Sequence, residues 1–444
     1  MILILTPQTG PRLTYIFGLI FGGLLGLEHR MTTNPEDFRS YDGPKLAYTD
    51  HPPDDSLFFK VSGLLSETGI RKQDLDFFIY KGTTAFYRVT GDHAALPFDP
   101  FAAAFYLVTR YEEYLPFHAD VHGRFPAEQS TAFCRGFLRK PLVNIWSQMI
   151  GKILLDRYPA LKLPEKHFLF QPTIDIDSAY AYKQKGLLRT TGAYLRDLLH
   201  GDFAEMSART RVLKGLQKDP FDTFDDIRDI HRQHGLTPLF FLLMGDHGKY
   251  DKNLPVSNTE FRTLIQSLSA RAEVGIHPSY KSYRAPAILR KERERLSAVT
   301  ERPVTKSRQH FLRLTLPGTY RDLLSQGITD DYTMGYASET GFRASICDTY
   351  RFYDLENETT TTLNIHPFAV MDGTLKDYKN LSPDEALVNI RQLINEVRQV
   401  SGTFISLWHN ESLSGMKRWS GWREVYEGML QLAVGSRLSI LSNY

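Results

Sequence analysis

The stretch FLFQPTIDIDS, residues 168–178, is a largely apolar run that ends in two aspartates. Its length and composition are typical of a buried strand. Because strand side chains alternate between two faces, Asp175 and Asp177 should point the same way. Neighbouring carboxylates repel each other, and a metal ion bound by one of them, with the other left as a base, would relieve that repulsion. The alternative is that both aspartates cap the next segment or face solvent.

Strand-like and helix-like segments alternate after this stretch, as they do in parallel sheets covered by helices. The clearest helix begins at Ser382, a capping residue followed by Pro383 and Glu385, and ends at Gly402. The predicted strands are 169–176, 238–244, 273–277, 304–308, 342–344, 360–365 and 403–408. Seven strands over this length favour a closed or nearly closed (β/α) barrel over an open doubly wound sheet.

A chain of 444 residues is too long for one ordinary core, so we expect two domains. An amphipathic stretch, 141–158, is followed by PALKLPEKH, which carries two prolines and little periodicity. We therefore place the boundary near residue 165. Residues 1–165 are predicted to form a smaller α/β domain of unknown role, and residues 166–444 to form the barrel.

Polar residues cluster where the predicted strands end. In parallel α/β folds this edge of the sheet carries the functional site, because the loops there vary while the strands hold the geometry. The cluster consists of Asp175, Asp177, His277, Arg308, His310, Arg343, His366 and His409.

Several of these residues, and the nearby Arg313, allow both a functional and a purely structural interpretation. His277 is a candidate ligand, since neutral imidazole is the commonest ligand for zinc-like metals, although most histidines bind nothing. His409 can protonate a leaving amine if another group fixes its tautomer, or it is an exposed loop residue behind a buried Trp408. Arg308, Arg313 and Arg343 offer fixed donors to a substrate, or they form salt bridges at the rim.

The N-terminal run LTYIFGLIFGGLLGL, residues 13–27, is short for a membrane span and lacks the basic segment that precedes a secretory signal. We interpret it as a buried first helix, with a signal or anchor and an interfacial segment as the alternatives. The first domain also contains HADVH, with His118, Asp120 and His122 at alternate positions, but flanking Pro116 and Gly123 favour a loop over a metal-binding strand.

Composition excludes several classes of function. The formal charge of +2 supplies no global field to hold nucleic acid. The two cysteines, Cys134 and Cys347, argue against a disulfide framework and a structural zinc cluster, so a cytoplasmic location is expected. The sequence has no P-loop, CxxC, HExxH or GxSxG motif, which removes support for nucleotide-dependent and serine-hydrolase chemistry.

The motifs PTIDIDS, GIHPSY and SLWHN, in this order, resemble those of the polysaccharide deacetylases of the NodB-homology superfamily. The resemblance implies a distorted (β/α) barrel, with Asp175 as base, Asp177 as metal ligand and His409 as the closing histidine. Two further stretches, 98–115 and 331–345, resemble a subgroup of deacetylase-like bacterial proteins that carry an extra N-terminal domain. Arg308 and Arg343 would then orient the base or the sugar, while Tyr280, Arg313 and Trp408 are expected to bind substrate.

One position departs from the family pattern. The second motif usually has two histidines four residues apart, and here Lys281 stands four residues after His277. Either His310 supplies the missing ligand, or the Lys281 ammonium replaces the ion and leaves a metal-free site, or water or His366 completes the set.

The resemblance implies a hydrolase that uses a divalent metal, with zinc favoured, to remove an acyl group from an amino sugar or related glycan. A non-catalytic carbohydrate-binding or assembly protein, and a deacylase acting on a small non-sugar amide, are the alternatives. No nucleic acid partner and no stable membrane span are expected.

Overall fold

The structure, a computed structural model, describes residues 1–91 and 93–441. Its strands are β1 Ile2–Leu5, β2 His29–Thr32, β3 Lys45–Thr49, β4 Phe58–Lys60, β5 Phe78–Tyr80, β6 Thr83–Ala85, β7 Leu169–Ile176, β8 Leu239–Leu243, β9 Val274–His277, β10 Lys306–Ser307, β11 Asp330–Asp331, β12 Tyr350–Asp354, β13 Thr359–Ile365, β14 Val370–Met371 and β15 Thr403–His409.

Its α-helices are α1 Pro11–Phe17, α2 Pro35–Ser40, α3 Pro100–Val108, α4 Thr131–Cys134, α5 Leu142–Arg157, α6 Leu187–Leu199, α7 Phe203–Leu213, α8 Phe224–Gln233, α9 Thr259–Ser269, α10 Pro286–Thr300, α11 Gly318–Ser325, α12 Pro383–Gln399 and α13 Trp422–Leu441. None of the helices in the described residues is long and apolar enough to cross a membrane.

The N-terminal region contains a four-stranded parallel sheet in the order β2-β1-β3-β4. The prediction of a buried first helix is confirmed, because α1 continues into a wider helical turn, Gly18–Leu24, and both bury their apolar faces. Ile16, Phe17, Ile20 and Phe21 are fully buried in the main hydrophobic core. The glycine-rich run is therefore core-forming, as expected for a helix that packs against a sheet.

A nine-stranded sheet forms the rest of the framework, in the order β12-β13-β11-β10-β9-β8-β7-β15-β14. All neighbouring pairs are parallel except β12 and β13. The carboxyl ends of its parallel strands therefore meet along one edge. The mixed α/β class is as predicted.

No hydrogen-bonded pair joins the edge strands β12 and β14 in the part of the chain that the structure describes. The sheet is open by this criterion, so the closed barrel is not shown. The predicted strand at 342–344 is wrong. Gly341 and Ser345 have φ angles of 129° and 52°, and the Ser345 N–H donates to the Phe342 carbonyl, so the chain turns there.

Helix α12 begins as predicted. The Ser382 side chain accepts from the Glu385 N–H, while the Glu385 carboxylate accepts from the Ser382 N–H. This reciprocal pair satisfies two backbone donors at the helix start. The boundary near residue 165 falls between α5 and β7 and stays a prediction, since one hydrophobic core includes residues from both sides of it.

Candidate metal centre and active site

A cavity of about 300 Å³ opens at the carboxyl ends of β7, β9 and β15. Five of the predicted site residues line it together: Asp175, Asp177, His277, His310 and His409. They come from four separate segments of the chain. Parallel strands bring them to one edge of the sheet, which is the arrangement that the strand-end cluster predicted.

His277 is the last residue of β9 and is 2% exposed. Its Nδ1 lies 2.5 Å from the Arg308 carbonyl oxygen, an atom that only accepts, so Nδ1 carries the hydrogen. The other ring nitrogen, Nε2, lies 3.1 Å from Asp177 Oδ1. Neither Nε2 nor Oδ1 has a hydrogen-bond partner. Two buried polar atoms thus lie side by side with no hydrogen bond between them.

His310 approaches Asp177 from the other side. Its Nδ1 lies 3.0 Å from Asp251 Oδ1, and its Nε2 lies 3.2 Å from Asp177 Oδ2. Burial alone would lower the pKa of His310, but the carboxylates of Asp177 and Asp251 raise it to about 9. A histidine held by a carboxylate through one nitrogen and free to bind through the other is typical of metal sites.

Protonated His310 can donate to both Asp177 and Asp251, but His277 Nε2 and Asp177 Oδ1 still have no hydrogen-bond partner. A cation between them would bind both. Ligand atoms of Asp177, His277 and His310 all lie within 4.8 Å of one another. Two imidazoles and one carboxylate, each imidazole with its second nitrogen occupied, make a donor set that suits zinc and similar metals.

Neither of the other groups considered for this place lies there. Lys281 is exposed, and its ammonium lies beside Gly248, 3.3 Å from the position that a side-chain carbon would take on that glycine. His366 contacts Asp330 through Nε2 and Thr349 through Nδ1, with its ring stacked on Tyr332. His310 is therefore the residue that joins Asp177 and His277.

Asp175 is 1% exposed and is paired with a guanidinium that is also buried. Arg308 Nη1 donates to Asp175 Oδ1 at 2.8 Å and to Thr173 Oγ1 at 2.7 Å, while Nε donates to the Tyr332 carbonyl. The second oxygen, Oδ2, lies 3.7 Å from His277 Nε2. The arginine thus fixes one carboxylate oxygen and leaves the other toward the candidate metal centre.

His409 ends β15 and has the orienting partner that the sequence did not identify. Asp372 Oδ1 lies 2.8 Å from His409 Nδ1, and Asp372 Oδ2 accepts from the His409 N–H at 2.8 Å. His409 Nε2 lies 3.8 Å from Asp177 Oδ2. Burial alone would lower the pKa of His409, but the carboxylates of Asp372 and Asp177 raise it well above its usual value. The imidazolium form is therefore favoured.

Arg343 was predicted to act in catalysis, and its placement corrects that role. Its guanidinium donates to both carboxylate oxygens of Glu113, at 2.9 and 2.6 Å, and to the Gly335 carbonyl. Arg110 also binds Glu113, at 2.7 Å. Arg343 does not line the cavity and instead ties the loop before β12 to the N-terminal region.

The three predicted substrate-binding residues also lie outside the cavity lining. Trp408 is fully buried beside Tyr426 and Trp422, because alternation along β15 turns it away from the face of Leu407. Arg313 donates to the Tyr280 carbonyl and lies over the Tyr280 ring, 4.0 Å from its centroid. These contacts give both residues a structural role in holding the loop after β9.

The HADVH stretch is a loop, as predicted. Asp120 accepts from the backbone N–H groups of His122 and Arg124 and from the Arg124 guanidinium. Within the described residues, the three side chains of this stretch do not form a group that could hold a metal ion. Arg124, two residues after His122, lines the cavity and is the contribution of this region to the site.

Arg124 Nη1 donates to the carbonyl of Phe311 at 2.8 Å. Phe311 also lines the cavity and has a φ angle of 58°, a left-handed conformation that costs a non-glycine residue roughly 1–3 kcal/mol. Strain of this kind is often retained at functional sites. The N-terminal region thus contacts the wall of the cavity directly.

Other cavity residues had weak sequence signals. Asp251 lies in an irregular loop after β8, and Asp372 follows a strand of only two residues, so no periodic pattern marks either of them. Both orient histidines of the site. The cavity also contains Glu411, Arg418 and two aromatic side chains, Tyr378 and Trp419.

Comparison with known proteins gives a family model and several solved structures. The model is a family of unknown function, DUF7033, which matches residues 2–159. No curated protein sequence matches the chain. Among solved structures, a protein from Mycobacterium smegmatis assigned as a polysaccharide deacetylase is 16% identical, with a TM-score of 0.39, over 62% of this chain and 93% of the other.

Two further structures are similar at lower scores. One is BA3943 from Bacillus anthracis, described as a CE4 family pseudoenzyme, with 15% identity and a TM-score of 0.28 over 62% of each chain. The other is the polysaccharide deacetylase Bc1974 from Bacillus cereus, with 11% identity and a TM-score of 0.28 over 62% of this chain and 89% of that one. At these scores, only its own side chains can support a conclusion about function.

Proposed function

We propose that the protein is a metal-dependent hydrolase that removes an acyl group from an amino sugar or a related glycan. The observation that carries this proposal is the pair of buried polar atoms His277 Nε2 and Asp177 Oδ1, which lie 3.1 Å apart and have no hydrogen-bond partner. Burying two such atoms without a hydrogen bond is costly unless a cation lies between them.

Asp177, His277 and His310 would hold the ion. Asp251 and the Arg308 carbonyl fix the ring orientations of the two histidines through their Nδ1 atoms. When bound, a divalent ion would polarise a substrate carbonyl and make water more acidic at neutral pH.

Asp175 is the candidate general base. Arg308 holds it in place, because Nη1 donates to Asp175 Oδ1 at 2.8 Å. Only one of its oxygens is bound by Arg308, so the other can accept a proton from an attacking water. Arg308 is a positioning residue, since it acts through Asp175.

His409 is the candidate general acid. Asp372 holds its Nδ1, so Nε2 is the nitrogen that faces the cavity with a proton to donate. Hydrolysis of an amide requires a proton on the departing nitrogen, and an imidazolium whose pKa is raised by two carboxylates carries that proton at neutral pH.

The size and lining of the cavity favour a small polar substrate. Its volume of about 300 Å³ lies at the lower end of the range for ligand pockets, and it combines charged groups with Phe311, Tyr378 and Trp419. Aromatic faces of this kind can pack against a sugar ring while the polar groups contact its substituents. These features favour a glycan over a purely apolar amide.

The test measures zinc binding and acetate release on the purified chain. We expect about one ion per chain and acetate from an N-acetylated amino-sugar oligomer, and we expect Asp177→Ala to lose both. Asp246→Asn is the matched control, because Asp246 follows the neighbouring strand β8 but is 70% exposed and paired with Arg295. It should keep both properties.

The outcomes separate the alternatives. Failure of the intact protein to bind any divalent ion would contradict the proposal. Ion and glycan binding without acetate release would indicate a non-catalytic binding protein. Release from non-sugar amides alone would keep the chemistry and change the substrate class.

A further inference from the structure

The α6–α7 hairpin, residues 187–213, turns its apolar side chains outward. Eight of the 17 exposed large apolar side chains in the described part of the chain lie between residues 187 and 216: Leu187, Leu188, Leu195, Leu198, Leu199, Phe203, Leu213 and Leu216. Exposed fractions in this group range from 43% to 88%. Such a concentration marks an interaction surface, since scattered single exposures are normal and contiguous ones are not.

Helix α6 shows most clearly that apolar side chains face outward and a charged side chain faces inward. Leu188, Leu195 and Leu199, at spacings of seven and four residues, fall on one helical face and are 88%, 58% and 77% exposed. The residue buried on the opposite side is Asp197, whose carboxylate accepts from Arg209 of α7 at 2.7 Å. A helix that packs on a core does the reverse.

The hairpin is also basic. Residues 183–218 contain eight lysines and arginines and three acidic residues, in a chain whose totals are 53 and 51, so the net positive charge is concentrated here. Asp197 binds Arg196 and Arg209, which neutralises part of this charge. Arg211 and Lys214 are exposed, and within the described residues neither is paired with a carboxylate.

Exposed leucines beside unpaired cations fit one chemistry best. An amphipathic helix with leucine and phenylalanine on one face and lysine and arginine nearby binds at the surface of an anionic bilayer, lying in the interface without crossing it. A second copy of this chain would match the leucines but would bring the same positive charges together. Charge complementarity therefore favours anionic lipid.

The hairpin lies next to the mouth of the cavity. Glu205 of α7 is paired with Lys417, and Lys417 also donates to the Tyr182 hydroxyl at 3.1 Å. The next two residues, Arg418 and Trp419, line the cavity. A bilayer against the hairpin would thus lie close to the opening of the site.

We propose that the α6–α7 hairpin is an anionic-membrane docking surface, which seats the protein on a lipid bilayer with its cavity near the interface. The docking itself does not depend on the hydrolase activity proposed above. It requires only the exposed leucines of α6 and the cations Arg211 and Lys214 at the end of α7.

The test is co-sedimentation of the full chain with vesicles of phosphatidylcholine containing one third phosphatidylserine, against vesicles of phosphatidylcholine alone. We expect preferential binding to the anionic vesicles, reduced by salt. The triple variant Leu188→Gln, Leu195→Gln, Leu199→Gln should bind at least about tenfold more weakly, because interfacial binding scales with buried apolar area. Arg211→Gln with Lys214→Gln should lose the preference for the anionic vesicles.

The matched control is Ile79→Gln, Ile288→Gln, Val388→Gln, three apolar residues exposed elsewhere at 70%, 40% and 55%. This control should bind as the wild type does. Absence of vesicle binding by the wild type, or equal binding by the α6 variant, would overturn the proposal. So would a wild-type dimer in light scattering that the α6 variant dissociates, since the leucines would then cover a second copy.

Discussion

Two buried arginine–carboxylate clusters look alike in the sequence and differ in the structure. The first, the Arg308 cluster, consists of Arg308 and Asp175, and the second, the Arg343 cluster, consists of Arg343, Arg110 and Glu113. Both arginines that name the clusters are at most 1% exposed. Asp175 lines the cavity, whereas Glu113 does not. A carboxylate that reaches a cavity, such as Asp175, can react with a substrate, whereas one that does not, such as Glu113, can only stabilise the fold.

Their hydrogen bonding explains the difference. Arg343 binds both oxygens of Glu113 and Arg110 binds one of them again, so that carboxylate is fully engaged. Arg308 binds a single oxygen of Asp175. A buried ion pair is a costly arrangement, and one that leaves an oxygen open toward a cavity is better explained by function than by stability.

The largest effect should come from Asp175→Asn, which removes the candidate base but keeps the side-chain shape. We expect acetate release to fall by roughly 10²- to 10⁴-fold, the usual contribution of a general base, while zinc stoichiometry stays at the wild-type value. Turnover and ion content measured on the same sample test this. A parallel loss of zinc would mean that Asp175 is a ligand and would break the comparison.

Arg343→Met should act on stability alone. Removing one partner of a buried pair costs about 3–5 kcal/mol, because Glu113 is left with less compensation. Urea unfolding measures this loss, and the residual folded enzyme should keep its turnover per molecule. Arg228→Met is the control, since Arg228 forms a surface pair, is 44% exposed, and should leave the free energy of unfolding nearly unchanged. A large loss of turnover without loss of stability would return Arg343 to the active site.

The smallest effect concerns Glu292, a buried carboxyl that pairs with no guanidinium among the described residues. Burial raises the pKa of Glu292 to about 7, although hydrogen bonds from Ser279 oppose this, whereas burial of Glu113 is outweighed by Arg343 and Arg110, which lower its pKa. A raised folded-state pKa contributes stability that is complete below the unfolded value of 4.5 and is lost as pH rises toward 7.

Glu292→Gln should remove that pH dependence. The wild type should lose on the order of 2 kcal/mol relative to the variant between the two ends of this interval, in urea unfolding. Glu113 has the opposite pH dependence. Because its folded-state pKa is lowered, its charge stabilises the protein above the ordinary carboxyl pKa, and this stability is lost as pH falls through the folded-state pKa. Glu113→Gln should remove that dependence. Identical pH profiles for the wild type and Glu292→Gln would show that Glu292 has an ordinary pKa in the folded protein.

The sequence predicted the framework well where periodicity was strong. β7, β9, β13 and β15 lie within a residue or two of their expected positions, and α12 begins at its capping box. The strand at 342–344 failed because a short apolar stretch cannot be distinguished from a turn by pattern alone. β10, β11 and β14 have two residues each, too few for any period to appear.

Prediction of the site was limited in a different way. Strand-end placement identified Asp175, Asp177, His277, His310 and His409, since parallel strands bring their ends together. It did not distinguish Arg308 from Arg343, because their partners lie 133 and 230 residues away in the chain. Asp251 and Asp372 were missed for the same reason: long-range hydrogen bonds leave no local signal.

The contact between Arg124 and the strained Phe311 has a consequence for how this protein can change through recombination. A gene fragment beginning near residue 166 would encode the whole nine-stranded sheet and every candidate metal ligand, yet it would omit the guanidinium that holds the Phe311 carbonyl. A foreign N-terminal partner would have to supply that donor anew. The two halves are therefore expected to be inherited as one unit.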